Sequence, residues 1–154
     1  MISIRKATEE DVQTLVALNH ELFQEDAGQR DPQMNLNWAL EEGEEYFEYM
    51  MMVNNSIGFL AESEGETVGY LVGRVKKRAS FRPIRIAELE SMFVYKPYRR
   101  LGVGKQLVDH FLAWTREWEV DRVTVTAYAT NDPALNFYRK NGFVDRTISL
   151  ELGL

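Results

Sequence analysis

The stretch KPYRRLGVGKQL, Lys96–Leu107, places two glycines, Gly102 and Gly104, among four cations on a chain whose formal net charge is −6. A strand-like stretch precedes it and an apolar run of helical spacing follows, so we predict a turn that leads from a strand into a helix. Glycines leave backbone N–H groups unshielded, and the first turn of a helix adds N–H groups without partners. These features predict an anion-binding turn; the alternative is a tight turn whose arginines are incidental. The cations are Lys96, Arg99, Arg100 and Lys105.

Three phosphate-binding patterns compete for this stretch. A P-loop, G-x-x-x-x-G-K-[ST], fails twice, because Arg99 stands at its first glycine and Gln106 at its Ser/Thr position. A dinucleotide fingerprint, G-x-G-x-x-G, has Leu107 in place of its third glycine and no strand ending directly before it. The pattern R-x-x-G-x-G fits Arg99–Gly104 and favours a pyrophosphate cradle on an otherwise acidic protein.

Length and composition narrow the class of protein. The 154 residues, 45% of them hydrophobic, suit one domain spanning 1–154. The absence of cysteine excludes disulfides and thiolate catalysis, and the two separated histidines, His20 and His110, predict no metal site. No apolar stretch has the length of a signal sequence core or a membrane span, so we expect a soluble cytoplasmic protein without a membrane partner. The acidic balance argues against a nucleic-acid partner.

Hydrophobic periodicity predicts an α/β fold with a mixed sheet and the order β-α-α-β-β-β-α-β-α-β. Thr8 is predicted to cap the first helix, and residues 27–36 are predicted to form a loop. The last two predicted strands are RVTVTAYA, residues 122–129, and FVDRTISLEL, residues 143–152. In the strand over residues 84–94 the alternation fails, which predicts a bulge near Leu89–Ser91 or a strand buried on both faces.

The segments ELESMFV, YKPYRRLGVGKQLV and VTVTAYATNDPALNFYRKNGF together resemble the GNAT superfamily of acyl-CoA-dependent N-acetyltransferases. The resemblance covers residues 84–145 closely and the first eighty residues only in element order and in the opening IRKATEEDV. It implies a GNAT-like mixed sheet of six to seven strands flanked by about four helices. It also implies that acetyl-CoA lies between two splayed strands, one ending at Val94 and the other near Ala129.

The resemblance assigns cofactor contacts to named residues. The pantetheine arm would pair with the backbone of Met92, Phe93 and Val94, and an N–H near Met92 or Phe93 would meet the thioester carbonyl. Asn131 would bond the same arm, although capping the last helix would also explain it. The pyrophosphate would lie on the glycine-rich turn. The residues of that turn are Arg99, Arg100, Leu101, Gly102, Val103, Gly104 and Lys105.

Catalytic roles follow from the same resemblance and from the chemistry of the side chains. Tyr138 matches the tyrosine near the CoA sulfur and would protonate the departing thiolate, unless it is a core aromatic. An amine must be neutral to attack, so a carboxylate on the strand at residues 84–94 would remove its proton. We favour Glu90 over Glu88 as the base, with a structural role as the alternative for both, and Ser91 as a residue that positions water.

The remaining predictions concern the acceptor and the function class. Five glutamates and several aromatic residues on the helix predicted at 37–52 form either a wall for a cationic amine or a solvated face. We therefore predict an N-acetyltransferase acting on a primary amine by direct attack in a ternary complex. The alternatives are a non-catalytic acyl-CoA-binding module of the same fold and a P-loop phosphotransferase. By family analogy we expect a homodimer. The glutamates are Glu41, Glu42, Glu44, Glu45 and Glu48.

Overall fold

The computed structural model describes residues 1–154 as a five-stranded sheet with helices on both faces. The strand order is β1-β2-β3-β4-β5; β1 to β4 pair antiparallel and β4 pairs parallel with β5. This confirms the mixed sheet and the α/β class. The strands are β1 (Ile2–Lys6), β2 (Ser56–Ser63), β3 (Glu66–Val75), β4 (Ile86–Val94) and β5 (Arg122–Val125).

Four helices of nine residues or more and one single-turn helix surround the sheet. None of them is long and apolar enough to cross a membrane. The predicted loop at 27–36 begins instead with helical turns that continue from α1, a correction to the sequence-based boundary. The helices are α1 (Val12–Leu22), α2 (Gly28–Arg30), α3 (Trp38–Met52), α4 (Val103–Glu117) and α5 (Asp132–Lys140), with a π-helical turn at Phe23–Ala27 and 3₁₀ turns at Glu9–Asp11 and Lys96–Tyr98.

The start of the first helical segment shows how local sequence fastens a helix to the sheet. The hydroxyl of Thr8 accepts the N–H of Glu10, and the Asp11 carboxylate accepts the N–H of Thr8 at 2.8 Å, which confirms the predicted cap. The Arg5 guanidinium on β1 donates two bonds of 2.9 Å to Asp11. These bonds hold the pKa of the Asp11 carboxyl below its usual value, against the opposing effect of burial.

Two apolar cores lie on opposite faces of the sheet. One core packs α4, through Leu107 and Phe111, against residues such as Ala87 and Leu89 of β4. The other packs α1 and α3 against the sheet and contains Phe93. The sheet therefore forms the middle layer of three, and β4 contributes side chains to both outer layers.

Two sequence predictions about the last part of the chain are wrong. β5 ends at Val125 rather than Ala129, and residues 143–152 form no strand, so the sheet has five strands rather than six or seven. Those residues keep their apolar alternation, but a strand also needs a neighbour to bond. No backbone hydrogen bond joins residues 144–154 to β5 or to any other element.

Candidate functional site

A fork opens in the sheet between β4 and β5. The two strands pair only as far as Leu89 and Val125, while β4 continues, bonded to β3 alone, to Val94. The N–H of Tyr95 donates to Val68 of β3 at 2.9 Å. Alternate residues of a strand direct their backbone groups to opposite edges, so those of Met92 and Val94 face the open fork. The fork thus presents an unpaired strand edge where the sequence predicted two splayed strands.

The glycine-rich turn follows directly at the end of this fork. Arg100 and Gly102 both adopt left-handed backbone conformations, with φ of 63° and 81°, before α4 begins at Val103. Gly102 has no side chain to cap the helix, and the first helical bond runs from the N–H of Gln106 to Gly102. The N–H groups at 103–105 therefore lack helical partners and carry the partial positive charge of the helix end. The predicted strand-to-helix turn is present, and anion binding by its N–H groups stays a prediction.

The cations of the turn are not equally available to an anion. Arg99 donates two bonds of 2.5 Å to Glu25, and its Nε donates to the Val94 carbonyl at 2.7 Å. Lys105 pairs with Asp109 at 2.7 Å on the surface of α4. The Arg100 side chain is exposed and makes no hydrogen bond or ion pair within the chain. Arg99 therefore holds the end of β4, and the two cations left for a ligand are Arg100 and Lys96, which is also exposed and forms no ion pair.

Gly104 lies against the ring of Phe137 on α5. A Cβ atom at Gly104 would stand 3.1 Å from two ring carbons, closer than ordinary contact, and 3.9 Å from the Met92 side chain. A side chain at this position would press on α5 as well as on any ligand at the turn.

We expect Gly104→Val to weaken acetyl-CoA binding at least about tenfold, equivalent to roughly 1.4 kcal/mol, with the fold retained. The branched side chain would cover the free N–H groups of the turn, and calorimetry would measure the change. Gly104→Val combined with Phe137→Leu relieves the contact with the ring. If the double variant binds CoA normally, the loss comes from displacing α5, and the cradle assignment is wrong.

Asn131 joins the start of α5 to the turn that follows α1. Its side-chain oxygen accepts the N–H of Ala134 at 3.2 Å, which caps α5, and its amide donates to Asp26 at 3.0 Å. Burial raises the pKa of the Asp26 carboxyl, against the opposing effects of Arg30 and Asn131. The turn after α1 thus contacts both predicted cofactor-binding elements. Glu25 bonds Arg99 of the glycine-rich turn, and Asp26 bonds Asn131 at the start of α5.

Tyr138 projects from α5 with its hydroxyl free. The side chain is half-buried between the rings of Phe137 and Phe143, at centroid distances of 5.3 and 5.6 Å. The hydroxyl makes no hydrogen bond within the chain, and burial raises its pKa to about 12. A phenol in this state stays protonated over the physiological range and is ready to donate to a ligand.

Glu90 occupies the predicted bulge. Val72 of β3 pairs with Ser91 and the adjacent Gly73 pairs with Leu89, which leaves Glu90 as the extra residue. The bulge prediction is confirmed. Ser91 bonds Tyr70, and Phe93 beyond it packs on the same face of the sheet.

The carboxylate of Glu90 has a partner at each oxygen. Arg74 of β3 lies 2.6 Å from Oε1, and the Tyr46 hydroxyl of α3 donates to Oε2. Only 16% of the Glu90 side chain is exposed. The pKa of Tyr46 is raised first by burial and then by its bond to Glu90, so Tyr46 remains a donor. Each carboxylate oxygen retains a second lone pair that could accept a proton.

Glu88 and Ser91 have different surroundings from Glu90. Glu88 lies 3.8 Å from the Lys76 ammonium, with 27% of its side chain exposed, and has no second partner. The Ser91 hydroxyl accepts a bond of 2.8 Å from Tyr70, which in turn accepts one of 2.9 Å from Asn19. Tyr70 and Asn19 are buried, so this chain of bonds fixes the position of Ser91 from inside the core.

The glutamates of α3 fall into two stripes at helical spacing. One, which we call the cleft stripe, consists of Trp38, Glu42, Glu45, Tyr46 and Tyr49. It includes Tyr46, the partner of Glu90, and Trp38, whose ring lies 5.4 Å from that of Tyr46. The other, the outer stripe, consists of Glu41, Glu44 and Glu48. All five glutamates are exposed. Only Glu42 and Glu45 lie in the same stripe as Tyr46, which bonds Glu90 at the fork.

Sequence reasoning missed four residues that hold the site together. Tyr46 and Arg74 fix Glu90, and Glu25 and Asp26 hold Arg99 and Asn131. Arg74 could have been identified from the sequence, because it is the only cation in the apolar strand TVGYLVGRV. No feature near Glu25 indicates its role, because its partner Arg99 lies 74 residues away.

The chain matches a known family over most of its length. The family model described as "Acetyltransferase (GNAT) family" matches residues 15–143, so the chain belongs to this family.

Relatives and solved structures agree with this assignment. An N-alpha-acetyltransferase from Sulfurisphaera tokodaii is 32% identical over 91 residues, 55% of this chain and 54% of that protein. An N-alpha-acetyltransferase from Arabidopsis thaliana is 29% identical, over 64% of this chain and 50% of that protein. The chain thus spans about half the length of these curated relatives.

Two solved structures share the fold across the whole chain. One is a putative acetyl transferase from Pyrococcus furiosus, with a TM-score of 0.80, 22% identity and 100% coverage of both chains. The other is an aminoglycoside acetyltransferase from an uncultured soil metagenomic sample, with a TM-score of 0.73 and 22% identity, covering 99% of this chain and 96% of that one.

Proposed function

We propose that this chain is an N-acetyltransferase that moves an acetyl group from acetyl-CoA to a primary amine in a ternary complex. The observation that carries the proposal is the fork itself. It brings the strand edge at Met92 and Val94, the uncapped start of α4 and the carboxylate of Glu90 to one end of the sheet. The free hydroxyl of Tyr138 projects from α5, which packs on the turn through Phe137.

The residues present fit acetyl-CoA as co-substrate. The edge offers the N–H and carbonyl of Met92 and the N–H of Val94 to an extended amide-bearing arm, as an added strand would need, while the Val94 carbonyl already accepts a bond from Arg99. The N–H groups at 103–105 and the exposed Arg100 side chain suit a pyrophosphate. Of the two N–H groups proposed for the thioester carbonyl, that of Met92 faces the fork, whereas that of Phe93 faces β3. When bound, acetyl-CoA supplies the activated acyl group.

The chain's own residues supply proton transfer and orientation. Glu90, directly or through a water held near Ser91, would take the proton that the attacking amine must lose. Tyr138 would give a proton to the departing sulfur. Arg74 and Tyr46 hold Glu90 in place, and Arg99, braced by Glu25, holds the end of β4. With no cysteine in the chain, direct attack without a covalent enzyme intermediate is the simplest route.

We propose that the acceptor is a cationic amine, either a small molecule or the lysine or N-terminal amine of a peptide. The cleft stripe of α3 places two exposed glutamates beside Trp38 and Tyr46. Carboxylates attract an ammonium ion and aromatic faces stabilise it. The names of the relatives, N-alpha-acetyltransferase and aminoglycoside acetyltransferase, include both kinds of acceptor.

Charge reversal on α3 tests this assignment with a matched control. We expect Glu42→Lys with Glu45→Lys to raise KM for a cationic acceptor about three- to tenfold at low salt, and less at high salt, because exposed charges are screened. CoA affinity should not change. Glu44→Lys with Glu48→Lys makes the same change in net charge on the outer stripe and should raise KM less. Equal effects of both pairs, measured by steady-state kinetics, would show that net charge and not the cleft stripe attracts the acceptor.

A panel of amines tests the reaction itself. Release of free CoA thiol would be measured with acetyl-CoA and polyamines, aminoglycosides, lysine peptides or peptides with free N-termini. We expect turnover with at least one cationic acceptor. Tight acetyl-CoA binding without turnover across the panel would instead favour the non-catalytic binding module.

A further inference from the structure

The polar chain of bonds behind Ser91 runs through an apolar core. Asn19 of α1 is 3% exposed and Tyr70 of β3 is fully buried, on the face of the sheet where α1 and α3 pack. Burying polar atoms costs free energy, and two apolar residues of the same shape would fill this space without that cost. Packing alone therefore does not explain the pair, and the only partner it has outside the core is Ser91.

The hydrogen bonds of this chain have a direction. The Asn19 amide nitrogen donates to the Tyr70 hydroxyl, and Tyr70 donates its single proton to Ser91 Oγ. Burial raises the pKa of Tyr70 to about 12, against the opposing effects of both bonds, so Tyr70 stays a donor over the physiological range. Because Ser91 accepts from Tyr70, its own proton points elsewhere, and it donates to no group of the protein. The half-buried Ser91 thus presents a free donor.

The bulge at Glu90 decides where this donor lies. Leu89 contacts the core of α4, and regular alternation would place Ser91 on that face too. The extra residue moves Ser91 to the other face of the sheet, where Tyr70 reaches it from the neighbouring strand. Ser91 therefore stands directly between Glu90 and Met92, whose N–H faces the fork.

The Tyr70 hydroxyl also lies near the two other phenols of the site. The pKa of Tyr138 is raised first by burial and then by Tyr70. The pKa of Tyr46 is raised first by burial, then by Glu90 and more weakly by Tyr70. Ser91, bonded to Tyr70, therefore lies in the same region as the proposed base and the proposed acid.

We propose that Ser91 donates a hydrogen bond to the acyl carbonyl oxygen while negative charge forms on it, and that Tyr70 and Asn19 hold its proton in that direction. This inference rests on the proposed function. The N–H of Met92 belongs to the next residue, and a carbonyl oxygen can accept both bonds. Ser91 keeps its O–H bond throughout, and the charge that attack places on the oxygen is stabilised by two donors. Ser91 is then a catalytic residue, whereas Tyr70 and Asn19 are positioning residues.

Two acetyl-CoA analogues test whether Ser91 meets the carbonyl oxygen. One is the methyl ketone in which CH₂ replaces the thioester sulfur; it keeps the carbonyl but cannot transfer the acyl group. The other is S-ethyl-CoA, which has a similar shape but no carbonyl. By calorimetry, we expect Ser91→Ala to weaken binding of the ketone about three- to tenfold, as for one neutral hydrogen bond, and to leave binding of S-ethyl-CoA unchanged. Equal effects on both analogues, or no effect on either, would overturn the assignment.

The parent protein distinguishes a failure of this inference from a failure of the proposed function. It should bind both analogues, because the glycine-rich turn and the strand edge would contact the parts of CoA that the analogues share. A parent protein that binds neither would overturn the proposed function and this inference together. Tight binding of both analogues without a selective effect of Ser91→Ala would overturn this inference alone.

A double-mutant cycle tests the positioning role of Tyr70. We expect Ser91→Ala to lower kcat about ten- to a hundredfold, less than loss of a sole donor would, because the N–H of Met92 remains. Tyr70→Phe should lower kcat about three- to tenfold in the parent and not at all in the Ser91→Ala background, because Tyr70 acts only through Ser91. Effects of the two substitutions that simply multiply would overturn the positioning role.

Removal of both buried polar groups separates positioning from folding. Tyr70→Phe alone leaves the Asn19 amide without a partner in the core, which lowers stability. Asn19→Leu combined with Tyr70→Phe removes both groups, so we expect a higher unfolding temperature than for Tyr70→Phe alone and the same loss of kcat. Recovery of the parent kcat in this double variant would show that the loss came from the unpaired amide, and Tyr70 would not be a positioning residue.

Discussion

Tyr138→Phe is expected to lower kcat by about 10²–10⁴-fold while leaving acetyl-CoA affinity close to normal. The substitution removes one hydroxyl that has no partner in the chain, so it breaks no internal hydrogen bond and leaves the ring between Phe137 and Phe143. Single-turnover kinetics would separate the chemical step from product release. Unchanged kcat where chemistry is rate-limiting would assign Tyr138 to packing.

The pH dependence of the parent enzyme adds an independent check on Tyr138. A general acid must be protonated, so its contribution is lost as pH rises through its pKa. Burial raises the pKa of Tyr138 to about 12, so kcat should show no descending limb from this residue up to about pH 10. A descending limb near pH 10 that is absent from Tyr138→Phe would show a pKa that burial has not raised.

Glu90→Gln is expected to lower kcat/KM for the amine by about 10²–10⁴-fold near neutral pH, with partial recovery at high pH. Gln keeps the shape of Glu but cannot take a proton. As pH rises, more of the acceptor is already neutral and needs no base. Full pH profiles of kcat/KM for the parent and the variant would measure the effect.

Two further variants separate a base from a structural carboxylate. Glu88→Gln changes a carboxylate on the same strand whose one ion pair is with Lys76, and it should have a smaller effect. Arg74→Gln breaks the ion pair with Glu90 but leaves the carboxylate, so it should retain most of the activity that Glu90→Gln loses. If Arg74→Gln reproduces the whole pH profile of Glu90→Gln, the role of Glu90 is to hold the strand. If Glu88→Gln alone is defective, Glu88 is the base.

The fold was predictable where local signals were strong. The cap at Thr8, the strand-to-helix turn at Gly102 and the bulge at Glu90 all follow from residues close together in sequence, and the structure contains them. The end of β5 at Val125 and the absence of a strand at residues 143–152 were not predictable from nearby residues. Alternation shows that a segment could form a strand, but only a neighbouring edge decides whether it does.

The candidate site also has a part that local sequence predicted and a part that it did not. The backbone elements that would hold acetyl-CoA were found from motifs, because glycine spacing and a helix start are local properties. The side-chain partners of those elements were not found. Glu25 reaches Arg99 and Tyr46 reaches Glu90 across the fold, at separations of 74 and 44 residues. Their roles follow from packing between distant elements, which spacing does not report.

The bulge in β4 also limits how this chain can change by insertion and deletion. Before Glu90, Ala87 and Leu89 point to the core of α4; after it, Phe93 points to the core of α1 and α3. Loss of Ser91, with the bulge kept, would shift the residues after it by one position, placing the Phe93 ring where Met92 now lies and turning the fork-facing backbone of Met92 and Val94 toward β3. Loss of Glu90 itself would keep the pairs of Leu89 and Ser91 but remove the bulge and the proposed base. The loop between β3 and β4 has no such constraint. We therefore expect insertions and deletions among descendants of this sequence to occur in that loop and not in β4.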